Sequence, residues 1–263
     1  MTGTLINAAA IAGAAGVGTL LGGRFPDRVR STVTDVLGIF VLILGAVDAF
    51  AAFDGPLPDA MGSAAVLIIL GSLLLGGIVG ELADVEGRLT IVGGWLRDAV
   101  TRGAEPTEPH ASGPDRDDLE TAHPVHDPRH RFVEGFVVTT LLVCVGPLAI
   151  LGSLQDGLTD GFQLLAVKSV LDGFAALAFA SALGIGVAFA ALPLLVLQGS
   201  ITLAAGALSG VLSEPMLDAI GATGGFLVVG IGLRLLDVRA VRVANLLPAI
   251  VIAPLAVGAW PGL

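Results

Sequence analysis

Two ionisable residues stand four positions apart inside an otherwise apolar run: Ala166-Val167-Lys168-Ser169-Val170-Leu171-Asp172-Gly173. A spacing of four puts Lys168 and Asp172 on one face of a helix. Held in a lipid-embedded segment, such a pair could bind an ion or small polar solute or relay a proton. A charge at the bilayer centre costs at least about 2.5–3.5 kcal/mol, so it turns toward protein or water. The bland alternative is a mutually neutralised pair with Lys168 reaching outward along its stem. Lysine preceding the acid is the weaker order for an intrahelical pair, which favours partners on other helices. Asn7, Gln198, Ser200 and Ser169 supply further polar groups in apolar runs, and interhelical hydrogen bonds would account for them without any ligand.

The elements that must position these groups are membrane helices. Of 263 residues, 54% are hydrophobic and 14% charged, and the mean hydropathy is +0.90. A water-soluble domain carries about 25% charged residues. The apolar runs are continuous and near 20 residues long, which fits helices and not the short alternating segments of a barrel. Eight spans follow, at about Leu5–Gly22, Thr32–Phe53, Ala60–Ala83, Phe136–Leu154, Phe162–Leu183, Val187–Leu212, Leu217–Leu236 and Val243–Gly262. The fifth and sixth are divided at Gly184-Ile185-Gly186. The fold class expected is thus an all-α integral membrane protein. It comprises a three-helix unit (1–83), a polar linker (84–134) and a five-helix unit (135–263).

Charge gives the span count a second footing. The twelve arginines fall in the first, third and seventh loops, whereas the second, fourth and sixth carry only acids, including Asp156, Asp160 and Asp218. With eight spans every arginine lies on one face, which the positive-inside rule makes cytoplasmic, leaving both termini outside. Lys168 alone breaks this pattern. The net charge of −10 argues against a nucleic-acid partner. Cys144 is the single cysteine and lies in an apolar run, so no disulfide framework is expected.

Other features are weaker. Leu89–Leu96 reads as a short interfacial helix carrying Trp95, followed by a Pro-, acid- and His-rich linker. His126 and His130 have ligand-like spacing, but prolines interrupt the segment and no metal site is assigned. Pro193, Pro248 and Pro254 imply kinks, and a break near Gly184–Pro193 would expose carbonyls to a cation. Glu81 lies at a span end, where a carboxylate ordinarily reaches interfacial water. Gly22–Gly45 has an echo in Ser209–Gly232. It reads either as an inverted repeat of spans 1–3 and 6–8, a common transporter design, or as chance similarity of glycine-rich hairpins. Small-residue faces such as Gly18/Gly22 suit close helix packing and are compatible with a homodimer. No HExxH, nucleophile elbow or P-loop is present, so no enzyme, catalytic residue or cofactor is expected.

Several strings resemble an uncharacterised prokaryotic multi-pass membrane-protein family, domain of unknown function 554 (YdfK/YqgA-like). They are Gly3–Asn7, Gly80-Glu81, Gln155–Asp160, Lys168–Gly173, Leu183–Val187, Gln198–Ser200, Gly230–Leu233 and Val243–Ala249. The likeness spans nearly the whole chain except the linker. It implies an inner-membrane protein with no established substrate, and it adds Asp160 and Asn245 to Glu81 as secondary candidates. Two functions stay open: a small-solute or ion transporter or channel centred on Lys168 and Asp172, and a non-transporting scaffold or assembly protein whose buried polar groups are structural.

Overall fold

The computed structural model describes residues 1–101, 128–159 and 161–260. Among them the chain is helical and forms no strand. The α-helices are α1 (Thr2–Gly22), α2 (Asp27–Ala49), α3 (Pro56–Met61), α4 (Ala64–Ala83), α5 (Val85–Thr101), α6 (Pro128–Cys144), α7 (Pro147–Leu158), α8 (Gln163–Leu183), α9 (Ala191–Leu208), α10 (Glu214–Leu235) and α11 (Pro248–Gly258). Leu20, Phe40, Leu82, Phe174, Val196 and Leu203 point outward, as expected of helices solvated by lipid. The protein is an all-helical membrane protein.

Six helical segments are long and apolar enough to cross a membrane: α1, Arg28–Met61, α4, α8, Ile185–Leu208 and α10. The count of eight is therefore not reached on length and composition. The expected fourth span is broken, because α6 and α7 meet at an angle of 62° and make a seventh crossing only if taken together. Its cause is local: Gly146 has φ +145° and Pro147 opens α7. Proline has no N–H, so the Val143 carbonyl loses its helical donor. The expected eighth span is Val243–Gly258, a 3₁₀ turn followed by α11, shorter than the roughly 20 residues a crossing takes. The division at Gly184 is present, with φ +89° there and a 3₁₀ stretch over Ile185–Ala190.

Each N-terminal helix packs mainly on a C-terminal one: α1 on α8, α2 on α10 and α4 on α11. Small residues make this possible. A Cβ at Gly18 or Gly22 would collide with the carbonyl oxygen of Leu177 or Ser181, so α1 and α8 approach backbone to backbone. Gly45 and Gly225 do the same between antiparallel α2 and α10. Helix α10 occupies the centre: 72% of its apolar window is buried, against 44% or less in the other five spans. The triplets α1–α2–α4 and α9–α10–α11 run in opposite directions, as an inverted repeat requires.

The bundle has a basic end and an acidic end. Arg30 bonds the Gly22 carbonyl and Arg131 the Ala182 carbonyl, where α1 and α8 finish side by side. Gly80, near the end of α4, meets the backbone of Asn245 just past the seventh loop, where Arg234 pairs with Glu86 and Arg242 with Glu81. The first, third and seventh loops therefore share one end. Asp156 and Asp218 lie at the other, bonded to the start of α1 and to Leu57 N–H respectively.

Candidate functional site

Helix α8 runs parallel to α1, and its Lys168–Asp172 face turns into the bundle. Both residues are buried, and Lys168 Nζ donates to Asp172 Oδ2 at 2.6 Å. The intrahelical pair thus forms in the order expected to be the weaker one. That preference is worth only a few tenths of a kcal/mol, far less than leaving a buried charge uncompensated.

Asn7 on α1 joins the pair. Its Nδ2 donates to Asp172 Oδ2 at 3.0 Å and to Gln198 Oε1 on α9 at 3.4 Å. An ionised carboxylate only accepts, so Asn7 must present its NH₂ to Asp172, and Gln198 must then present its carbonyl to Asn7. Asn7 Oδ1 and Gln198 Nε2 are left buried with no protein partner among the described residues, on side chains that are 0% exposed. Three helices therefore converge on a cation, an anion, an unused acceptor and an unused donor. Cys144, at the end of α6, lies within Coulombic range of both Lys168 and Asp172.

The bend between α6 and α7 is at this depth. A Cβ at Gly224 on α10 would lie 2.5 Å from Val145 Cγ1, and one at Gly152 on α7 would lie 2.6 Å from Leu165, one turn before Lys168. Thr139 and Thr140 on α6 and Thr223 on α10 are also buried hydroxyls without a partner. Asp156, read from sequence as a loop acid, is buried instead: it accepts from Gly3 N–H, Thr4 N–H and Thr4 Oγ1 at 3.2–3.3 Å. It caps the positive end of α1 across the bundle. The signal available was its place inside Gln155–Asp160, ahead of the Lys168 string.

The other candidates separate from this centre. Ser169 is buried but donates to the Leu165 carbonyl of its own helix at 2.6 Å. Ser200 is exposed and bonds the Leu197 carbonyl. It stands two residues from Gln198, about 200° around the helix, so it does not line the centre. Glu81 and Asn245 belong to a second cluster at the basic end. Asn245 Nδ2 donates to Glu81 Oε2 at 2.6 Å, its Oδ1 accepts from Glu86 N–H at 2.8 Å, and Glu86 takes Arg234 and the Ala244 N–H. Sequence reasoning had no part for Glu86 or Arg234. Asp160 lies outside the described residues, as do His110, His123 and His126, whereas His130 lies 3.7 Å from Glu134. Among the described residues no group of His, Cys, Asp or Glu has a metal-holding arrangement.

A family model described as protein of unknown function (DUF554) matches residues 2–258. The uncharacterised protein YqgA of Escherichia coli (strain K12) is 29% identical over 259 residues, covering 98% of this chain and 97% of that one. The uncharacterised membrane protein YdfK of Bacillus subtilis (strain 168) is 27% identical over 261 residues, covering 98% and 96%. No solved structure matches the chain significantly.

Proposed function

The chain belongs to the DUF554 family, and from that premise we propose that it moves a small solute or ion across a membrane through the polar centre around Lys168 and Asp172. The observation that carries this is the pair of unused groups beside the ion pair, Asn7 Oδ1 and Gln198 Nε2. Buried polar groups that only tie helices together end up hydrogen-bonded, because each unsatisfied one costs about 1–3 kcal/mol. An acceptor and a donor kept open next to a displaceable ion pair suit a polar guest that both donates and accepts. Lys168 would hold its anionic or carbonyl part, and Asp172 its cationic or proton-bearing part. The arginine end faces the cytoplasm in this reading, with both termini outside.

The second reading is a scaffold, favoured by Asn7 bridging α1, α8 and α9 at once. Purified protein in liposomes separates the two, with a panel of ions and polar solutes screened for flux. Replacing both charges together, Lys168→Met with Asp172→Leu, leaves no buried charge unpaired and keeps the bundle foldable. Transport predicts flux that falls at least about tenfold in this variant, as loss of about 1.4 kcal/mol or more of site interaction would give. A folded wild type that passes nothing across the panel supports the scaffold. Protease added to sealed right-side-out vesicles should leave residues 84–134 intact, and cleavage there would reverse the orientation.

A further inference from the structure

We propose that Thr4, Asp156 and Thr202 form a polar gate by which the guest of the Lys168–Asp172 centre enters from the acidic end, an inference that rests on the transport reading above. Two polar layers stand one turn apart on the same helices. On α1, Thr4 precedes Asn7 by three residues, and on α9 Thr202 follows Gln198 by four, so each pair shares a helix face. The inner layer is Asn7 and Gln198 with the ion pair. In the outer layer Thr4 Oγ1 lies 3.3 Å from Asp156 Oδ2 and 3.4 Å from Thr202 Oγ1. Thr4, Asp156 and Thr202 are all buried.

The bonds of the outer layer suit a barrier that opens. An ionised carboxylate only accepts, so Thr4 gives its one hydroxyl proton to Asp156 and accepts from Thr202. Asp156 also takes Gly3 N–H at 3.2 Å and Thr4 N–H at 3.3 Å, with the Met1 amine 3.2 Å away. Each of these contacts lies at or beyond the long end of ordinary hydrogen-bond lengths, whereas the Lys168–Asp172 contact in the centre is 2.6 Å. Gly157, Leu158 and Thr159, next to Asp156, are exposed, so groups that part here reach the surface. The opposite side is built differently. From Asn7 to the Gly22 end of α1 runs about 22 Å of helix. Along it α1, α8 and α9 offer Ile11, Ala15, Ala176, Phe179 and Leu194, each at most 1% exposed, and α6 adds the hydroxyls of Thr139 and Thr140. A polar guest crossing that stretch would shed its hydrogen bonds with little to replace them. Thr4, Asp156 and Thr202 offer replacements within a single turn, which makes the thin polar side the entrance.

Access to the centre, read separately from flux, tests this in sealed vesicles whose sidedness the linker proteolysis fixes. In a Cys144→Ala background, Gln198→Cys places a thiol in the inner layer, and a membrane-impermeant cationic methanethiosulfonate reports its exposure. Added at the acidic end, the reagent should modify it at least about tenfold faster than when added at the basic end, the ratio that about 1.4 kcal/mol of barrier difference gives. Thr202→Cys should show the same asymmetry one turn nearer the surface. Thr4→Val keeps the side-chain shape and removes the hydroxyl. It should speed modification of Gln198→Cys from the acidic end about tenfold, the effect of one charge-assisted bond lost from the closed form, and Thr4→Ser should leave the rate unchanged. Ala176→Cys, on the apolar side, should resist the reagent from both ends. Equal or faster modification of the first two positions from the basic end overturns the proposal. So does no modification from either end, or a Thr4→Val rate equal to that with Thr4 intact. One-sided, Thr4-dependent access in a protein that passes nothing across the flux panel would overturn transport and not the gate.

Discussion

Two clusters in this protein are built from the same parts and differ in how they are finished. At the centre, Lys168 and Asp172 are joined by Asn7; at the basic end, Arg234 with Glu86 and Arg242 with Glu81 are joined by Asn245. In the second cluster the asparagine uses both ends of its amide and Glu86 takes two donors. In the first, Asn7 uses only its NH₂, and Gln198 beside it uses only its carbonyl. One cluster has its amide fully used and lies partly exposed; the other is buried and leaves an amide acceptor and an amide donor without a protein partner. The difference teaches that an ion pair with an amide is not by itself a site. What distinguishes the two clusters is whether buried polar capacity is left without a protein partner.

The largest expected effect comes from breaking the buried pair on one side. Lys168→Ala strands Asp172 and should destabilise the protein by about 3–5 kcal/mol, read from unfolding in detergent micelles. Adding Asp172→Leu to Lys168→Met should restore most of that loss; a double variant as unstable as Lys168→Ala would contradict this account of the pair. The comparison is sharpened by two amide-to-leucine changes. Asn245→Leu strands the Glu86 N–H and leaves Glu81 with Arg242 alone, at a cost of about 1–3 kcal/mol. Gln198→Leu removes a donor that had no partner and one long 3.4 Å bond from Asn7, whose Nδ2 keeps Asp172, and should cost less than about 1 kcal/mol while lowering any flux. Equal stability losses in the two would erase the distinction between the clusters. The smallest effect belongs to Arg242→Gln. Its side chain is 65% exposed and that of Glu81 46%, so the change should stay within about 0.5 kcal/mol and vanish in high salt.

Much of this was legible in the sequence because lipid imposes one-dimensional rules. Apolar run length marked most helices, and arginine placement marked the shared end of three loops. An isolated charge pair with nearby amides marked the centre: Lys168, Asp172, Asn7 and Gln198 do converge. The misses have physical causes. Gly146-Pro147 is a visible breaker, but a hydropathy window averages over it and the run Phe136–Leu154 reads as one straight span. Ser200 was grouped with Gln198 by proximity in sequence, although two residues on a helix face nearly opposite ways. Asp156 looked like a loop acid because its helix, α7, is only twelve residues long. Its partners, Gly3 and Thr4, are about 150 positions away and invisible to any local pattern.

That separation has a consequence in time. Asn7 and Asp172 are 165 residues apart in the chain. At about 5–20 residues per second of synthesis, α1 resides in the membrane for roughly 8–33 s before its carboxylate partner is made. Through that interval Asn7 has no Asp172 to bond and Gly18 no Leu177 backbone to lie against, so the first helix must wait for α8 to close against it. The assembled bundle is therefore registered late, and errors in the C-terminal half should expose the first helix to membrane quality control as readily as errors within it.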